Sequence, residues 1–270
     1  MPDTYPPDHH ILSDLRIEFE RGEGGRRVRL PLVPELLDGE GGVHAGALGI
    51  VTDVFGGGLS IEEASPDWAV TSQLELHILR RIRKGPIEVT GQALRAGRTS
   101  VVLEVEVHDS EGSLAAVGSM SFTKIFRRDE NPPIPLRQEE RTTFATAHSG
   151  LDLPFLQALG IRPVPGATDT IEITLVPYVM NSVGALQGGV VTAMLTDAAE
   201  RVAHATLERA VHTTDFSVHF LSLGKVGPLR AQAQTLQAAD GHALLRVELR
   251  DRGQEDRLLS LGTVRVGDLA

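Results

Sequence analysis

Residues 101–107 place Val101, Leu103, Val105 and Val107 at every second position, an alternation that predicts a strand with one buried face. Leu245, Val247 and Leu249 repeat the pattern near the far end of the chain. Residues 47–64 and 190–207 read differently, as apolar and small residues without that alternation, each run preceded by a glycine-rich loop. Both are expected to be helices. The order of elements is the same in each half. A short strand region comes first (DLRIEFERGEGGRRVRLPL; TDTIEITLVP), then the loop, the helix and three alternating stretches bounded by turn signals. One helix followed by an antiparallel meander is an α+β arrangement, with the helix along the sheet's apolar face.

The two halves align with each other. Residues 70–89 laid over 212–231 pair His77 with His219, Leu79 with Leu221 and Gly85-Pro86 with Gly227-Pro228, all 142 positions apart. Upstream the spacing becomes 143, pairing Asp38 with Asn181 and His44 with Gln187. Such self-similarity marks an internal duplication. Its expected boundaries are a first repeat over 1–127, a linker over 128–150 rich in Pro and charge, and a second repeat over 151–270. Gly56-Gly57-Gly58 falls inside the first helix. Glycine is unfavourable there by about 1 kcal/mol each relative to alanine, so either the helix ends at the triplet or the sheet curls tightly against it.

Composition narrows the function. The chain of 270 residues is 41% hydrophobic and 23% charged, with a net charge of −10. Arginines are scattered among acids, which argues against a nucleic-acid partner. The absence of cysteine removes disulfides, thiolate metal sites and a Cys nucleophile, and fits a reducing cytoplasm. No apolar run approaches a membrane span and no signal peptide is evident, so a cytoplasmic protein without a membrane partner is expected. No His or Asp cluster has metal spacing. His9-His10 reads as part of a loose terminus. His77 and His219 read as structural or surface strand residues. The RRIRKG segment reads as a solvated strand end, or else as a contact for the phosphates of a ligand.

The run His44-Ala45-Gly46, with Asp53 nine residues after the histidine, the strand AVTSQLELHIL, the Gly-Pro turn and the closing VHDSEGSLAAVGSMSF together form a specific pattern. It resembles the hotdog-fold acyl-CoA thioesterases of the phenylacetate-pathway type. The resemblance covers roughly residues 15–125 and 155–266. It implies a double hotdog, in which two curved antiparallel sheets each wrap a central helix and one chain imitates the family's usual homodimer. Such double-hotdog chains could in turn pair as a homodimer. It also implies an acyl-CoA substrate and no cofactor.

Both copies depart from the family motif. The first keeps His44 and Asp53 but has Asp38 for the family's Asn and Ala45 for its first Gly. The second keeps Asn181, Gly188 and Gly189 but has Gln187 for the His, and nine positions on stands Thr196, with Asp197 one step late. One step turns a helical side chain by about 100°, so Asp197 is not expected to point where Asp53 does. Carried over, the family's site gives one cleft of Asp53 and Thr71 with Asn181, Gln187, Gly188 and Gly189. The other, vestigial by this reading for want of a carboxylate in register, contains Thr196 and Thr213 with Asp38, His44 and Ala45.

In the first cleft Asp53 is expected to act as base or nucleophile, with the Gly188 N–H on the oxyanion, Gln187 donating in place of a histidine, and Asn181 orienting the carboxylate or water. Thr71 and Gly189 are expected to bind substrate. Backbone N–H groups at a helix start polarise a carbonyl without a charged side chain, and glycine lets substrate approach them. Seen alone, Asp53 is a mid-helix carboxylate of the kind usually solvated, and Gly188-Gly189 a turn before a helix. A non-catalytic acyl-CoA or lipid binder and a hotdog hydratase are the alternatives. The hydratase reading lacks its Asp-x-x-Pro-x-His type of motif.

Overall fold

The computed structural model describes residues 5–22, 25–126 and 140–269. In the first repeat the elements are α1 (Ile11–Asp14), β1 (Glu18–Gly22), β2 (Gly25–Leu30), α2 (Ala45–Ala64), β3 (Trp68–Ile78), β4 (Ile87–Ala96), β5 (Ser100–His108) and β6 (Leu114–Ile125). After them come β7 (Arg141–Thr143), α3 (Phe155–Ala158), β8 (Arg162–Pro163), β9 (Thr170–Ile173), α4 (Gly188–Leu207), β10 (His212–Phe220), β11 (Leu229–Ala239), β12 (His242–Asp251) and β13 (Arg257–Gly267). Four strands follow each long helix rather than the three expected. The extra one in the first repeat, β4, has alternating burial only in its first half and is exposed towards its end, so its pattern fades. Part of the expected linker, 128–139, lies outside the described residues. Its later part does not merely connect, because β7 pairs with β1 of the first repeat.

All thirteen strands form one sheet, in the order β7-β1-β2-β4-β5-β6-β3-β10-β13-β12-β11-β9-β8. The repeats meet where β3 pairs antiparallel with β10, and there Glu75 faces Ser217, its own equivalent in the other repeat. A local twofold axis therefore passes through that pair. This is the expected double hotdog. At the seam His77 Nδ1 meets Asp215 Oδ1 at 2.6 Å on the exposed face, a strand-surface role as its sequence context suggested. α2 packs on β2 to β6 and α4 on β9 to β13, and the two helices also pack on each other.

Small residues permit that helix contact. A Cβ on Gly46 would lie 2.6 Å from the Cα of Ala193, and one on its equivalent Gly189 would strike the Cα of Ile50. The Gly56-Gly57-Gly58 triplet does not end α2. Gly56 sits against Met120 and Phe122 of β6, so the missing side chain brings sheet to helix. The N-terminal segment is not loose. His10 is fully buried; its Nδ1 accepts from the Leu12 N–H at 3.1 Å and its Nε2 donates to the Met180 carbonyl at 2.8 Å. With the Tyr178 hydroxyl donating to Asp14 (3.0 Å), the chain's start is tied to the second repeat.

Candidate functional site

Each long helix begins after a tight loop, and the loop explains the Asp38/Asn181 exchange. Asn181 Oδ1 accepts from the Val183 and Ala185 N–H groups at 3.1 and 3.0 Å. Asp38 Oδ1 accepts from Glu40 and Gly42 in the same way, at 2.9 and 3.2 Å. Either side chain builds this turn, since only an acceptor is needed. The expectation that Asn181 orients Asp53 is corrected: its oxygen is spent on its own loop, although it lines the cavity described below.

In cleft one, Asp53 of α2 reaches the first turn of α4. Its Oδ1 accepts from Thr71 Oγ1 of β3 at 2.9 Å, and its Oδ2 from Gln187 Nε2 at 3.0 Å and the Gly189 N–H at 3.1 Å. Gln187 is fixed at its other end, its Oε1 accepting from the Val190 N–H at 2.9 Å. So Gln187 and Thr71 hold the carboxylate, and Gly189, expected at the substrate, binds the carboxylate and packs the helix instead. The glycine before it has its own reason. A Cβ on Gly188 would stand 2.8 Å from Asp53 Oδ2. With Gly189 and Val190 engaged, the Gly188 N–H has no bonded acceptor among the described residues.

Burial pushes the Asp53 carboxyl up to about 6, against the bonds from Thr71 and Gly189, which favour its charge. Tyr5 nearby is held neutral, first by burial and then by the charge of Asp53. The carboxylate lies on the wall of a cavity of about 1030 Å³ shared by both repeats.

Cleft two gathers Asp38, His44, Ala45, Thr196 and Thr213 in the equivalent places but with other bonds. Thr196 Oγ1 turns back to the Thr192 carbonyl at 3.0 Å. Asp197 is buried and pairs with Arg201 at 2.7 Å, and its charge is felt by His44 and Glu200. Thr213, the equivalent of Thr71, donates its N–H and Oγ1 to Glu200 at 2.8 and 2.7 Å. The cleft therefore does have a carboxylate, pushed up to about 7 by burial. Sequence reasoning missed Glu200, yet a signal was there: it follows Thr196 by four residues, one helical turn along the same face.

His44 is kept below its ordinary value by burial, against the charges of Asp38 and Asp197. In front of it stands a plug. Arg81, whose side chain is 4% exposed, bonds both oxygens of Asp38 at 2.6 and 2.5 Å and lies against His212, which reaches Glu40 at 2.8 Å. The reading of RRIRKG as solvated is thus corrected for Arg81. Among the described residues no group of His, Asp or Glu could hold a metal ion, and no helix is long and apolar enough to cross a membrane.

Comparison with known proteins places one match in each repeat. A thioesterase superfamily model matches residues 40–116, and an acyl-CoA thioesterase N-terminal domain model matches residues 176–266. A Saccharolobus solfataricus protein named as an esterase is 34% identical over 109 residues, which span 39% of this chain and 76% of that protein. Among solved structures, the tesB protein of Mycobacterium avium subsp. paratuberculosis is similar with a TM-score of 0.64 at 15% identity, over 92% of this chain and 94% of that one. A hot dog fold protein of Alicyclobacillus acidocaldarius gives 0.61 at 14% identity, over 96% and 97%. The acyl-CoA thioesterase II TesB2 of Mycobacterium marinum gives 0.56 at 17%, over 90% and 93%.

Proposed function

The chain belongs to the thioesterase superfamily and is a thioester hydrolase of hotdog fold, and we propose that it cleaves acyl-CoA thioesters in cleft one, between its two repeats. The observation that carries this reading is the buried Asp53 carboxylate, held by Thr71 from its own repeat and by Gln187 and Gly189 from the other, on the wall of the large cavity. The Gly188 N–H, at the positive end of α4, receives the carbonyl oxygen as it becomes an oxyanion. Asp53 takes a proton from water, the hydroxide adds to the carbonyl carbon, and the tetrahedral adduct expels the thiolate of coenzyme A. The proton on Asp53 passes to that thiolate, which leaves free acid, free thiol and the starting carboxylate.

A carboxyl near 6 suits this exchange, because it is ionised at neutral pH yet basic enough to hold the proton briefly. Thr71, Gln187 and Gly189 act as positioning groups. The test is release of coenzyme A thiol from a series of acyl-CoAs by the wild type and by Asp53→Asn and Asp53→Ala. Turnover by the wild type with loss in both variants, each folded by circular dichroism, supports the reading. Undiminished turnover in the variants refutes it.

A further inference from the structure

The cavity lining has two stretches of different chemistry, one along α2 from Asp53 and one on the second repeat. One follows α2. Asp53, Val54, Gly57, Gly58, Ile61 and Glu62 all line it, and that spacing is a single helix face. At about 1.5 Å rise per residue the face runs roughly 14 Å from the carboxylate. Phe19, Trp68, Phe122 and Phe144 wall this stretch, and Tyr5 and Leu12 of the tied-down N-terminal segment cover it. Ion pairs stand at its far end. Arg21 and Arg26 both bond Glu62, and the Arg26 guanidinium lies over Gly58, where a Cβ would strike it.

The other stretch runs along the second repeat between Ser182, Gly184, Ser222, Gly224 and Ser260. It opens to solvent beside Leu221 and Leu223, which are 57% and 43% exposed. Hydroxyls and small residues suit the amide-bearing pantetheine arm, and the open rim leaves the nucleotide outside. The apolar stretch along α2 is left for the acyl group.

Resting on the proposed hydrolysis at Asp53, we infer that the preferred substrates are straight-chain acyl-CoAs of decanoyl to dodecanoyl length, measured by the α2 trough and stopped by the Arg26–Glu62 pair. With C–C bonds of about 1.5 Å, an extended chain advances roughly 1.3 Å per carbon, so about eleven carbons fill 14 Å. The floor depends on Gly57 and Gly58. At the equivalent positions α4 carries Glu200 and Arg201, whose side chains occupy the same face of that helix. A straight chain fits this shape better than a ring, because the trough is long and follows one helix face.

The test uses the whole protein with acetyl-, butanoyl-, hexanoyl-, octanoyl-, decanoyl-, dodecanoyl-, palmitoyl- and phenylacetyl-CoA. In the wild type kcat/KM should rise by up to roughly fourfold per methylene from butanoyl to decanoyl, then fall for palmitoyl. Gly57→Leu is the informative variant, because a Cβ there meets nothing within 4 Å and leucine favours a helix more than glycine. It should move the optimum to butanoyl or hexanoyl, lowering the ratio of decanoyl to butanoyl kcat/KM at least about tenfold. A flat profile, an optimum at acetyl or phenylacetyl, or a Gly57→Leu profile like the wild type's would overturn the trough. Calorimetric binding of the same series to Asp53→Asn separates the two ideas. Affinity that climbs to decanoyl without any wild-type hydrolysis sinks the catalytic reading and keeps the trough. Hydrolysis without length dependence does the reverse.

Discussion

The two clefts share a frame and differ in what stands on it. Both have a long helix entered through an Asx turn, a threonine on the adjoining strand, and a glycine that lets the helices touch, Gly46 in one repeat and Gly189 in the other. Around that frame almost every residue facing the site is exchanged. Gly188 corresponds to Ala45, Asp53 to Thr196, Gly57 to Glu200 and Leu223 to Arg81. The exchanges go together. Where a carboxylate must approach the helix start, the facing residue has no Cβ; where Thr196 turns back on its own helix, alanine is accommodated. Where an apolar trough is open, the helix carries glycines; where an ionic plug stands, it carries Glu200 and Arg201. A duplicated scaffold thus keeps the packing positions symmetric and lets the chemical ones diverge.

The sharpest way to break this contrast is to exchange the carboxylates. Asp53→Ala should lower kcat by roughly a hundredfold or more, the scale of losing a positioned base, whereas Glu200→Gln should leave it unaltered in the same thiol-release assay. A strong loss in Glu200→Gln would make cleft two the working one.

Next in size is the glycine. Gly188→Ala pushes a methyl group against Asp53 and should cost roughly tenfold to a hundredfold in kcat/KM, as small displacements of catalytic groups do. The mirror change, Ala45→Gly, should alter turnover little. Equal effects would mean that the carboxylate contact at Gly188 is incidental.

The pH profile sharpens the assignment further. Asp53 works ionised and its carboxyl is raised to about 6, so kcat/KM should be level above that value and fall about tenfold per unit below it. Glu200, raised to about 7, titrates separately, so the limb near 6 should persist in Glu200→Gln. If removing Glu200 shifts the limb, the two clefts are coupled.

The smallest effect on activity is expected from Arg81→Leu, which writes the residue of cleft one into cleft two. Turnover should stay as it is, while Asp38 loses its two bonds from Arg81 and urea midpoints report a loss of about 1–3 kcal/mol. New hydrolytic activity that depended on Glu200 would show that the plug alone had kept the second cleft silent.

Much of this was legible in the sequence. The alternating runs, the Gly-Pro turns and the spacing of His77 and His219 marked the repeats, and the nine-residue step from His44 to Asp53 set the helical register. Asp53 and Thr71 could be paired through the resemblance. What escaped depends on partners distant in the chain. No local pattern tells that Arg81 turns inward to Asp38 rather than outward to solvent, or that His10 caps a short helix and reaches Met180. Asn181 looked like a cross-repeat contact because its type recurs in the family motif, yet a side-chain acceptor before a helix start is equally suited to its own loop. Glu200 lies outside the family register: the carboxylate of cleft two stands one turn on from Thr196, and only helix periodicity puts it on the same face.

The meeting of Glu75 and Ser217 across β3 and β10 carries a consequence of another kind. In a cleft assembled from two separate subunits, the half that brings the helix start has to be found by diffusion and is lost on dilution. Here that half is carried on the same chain, at an effective concentration of millimolar order or more. Residues 53 and 188 are thus supplied in fixed one-to-one ratio by a single polypeptide, however scarce the protein becomes.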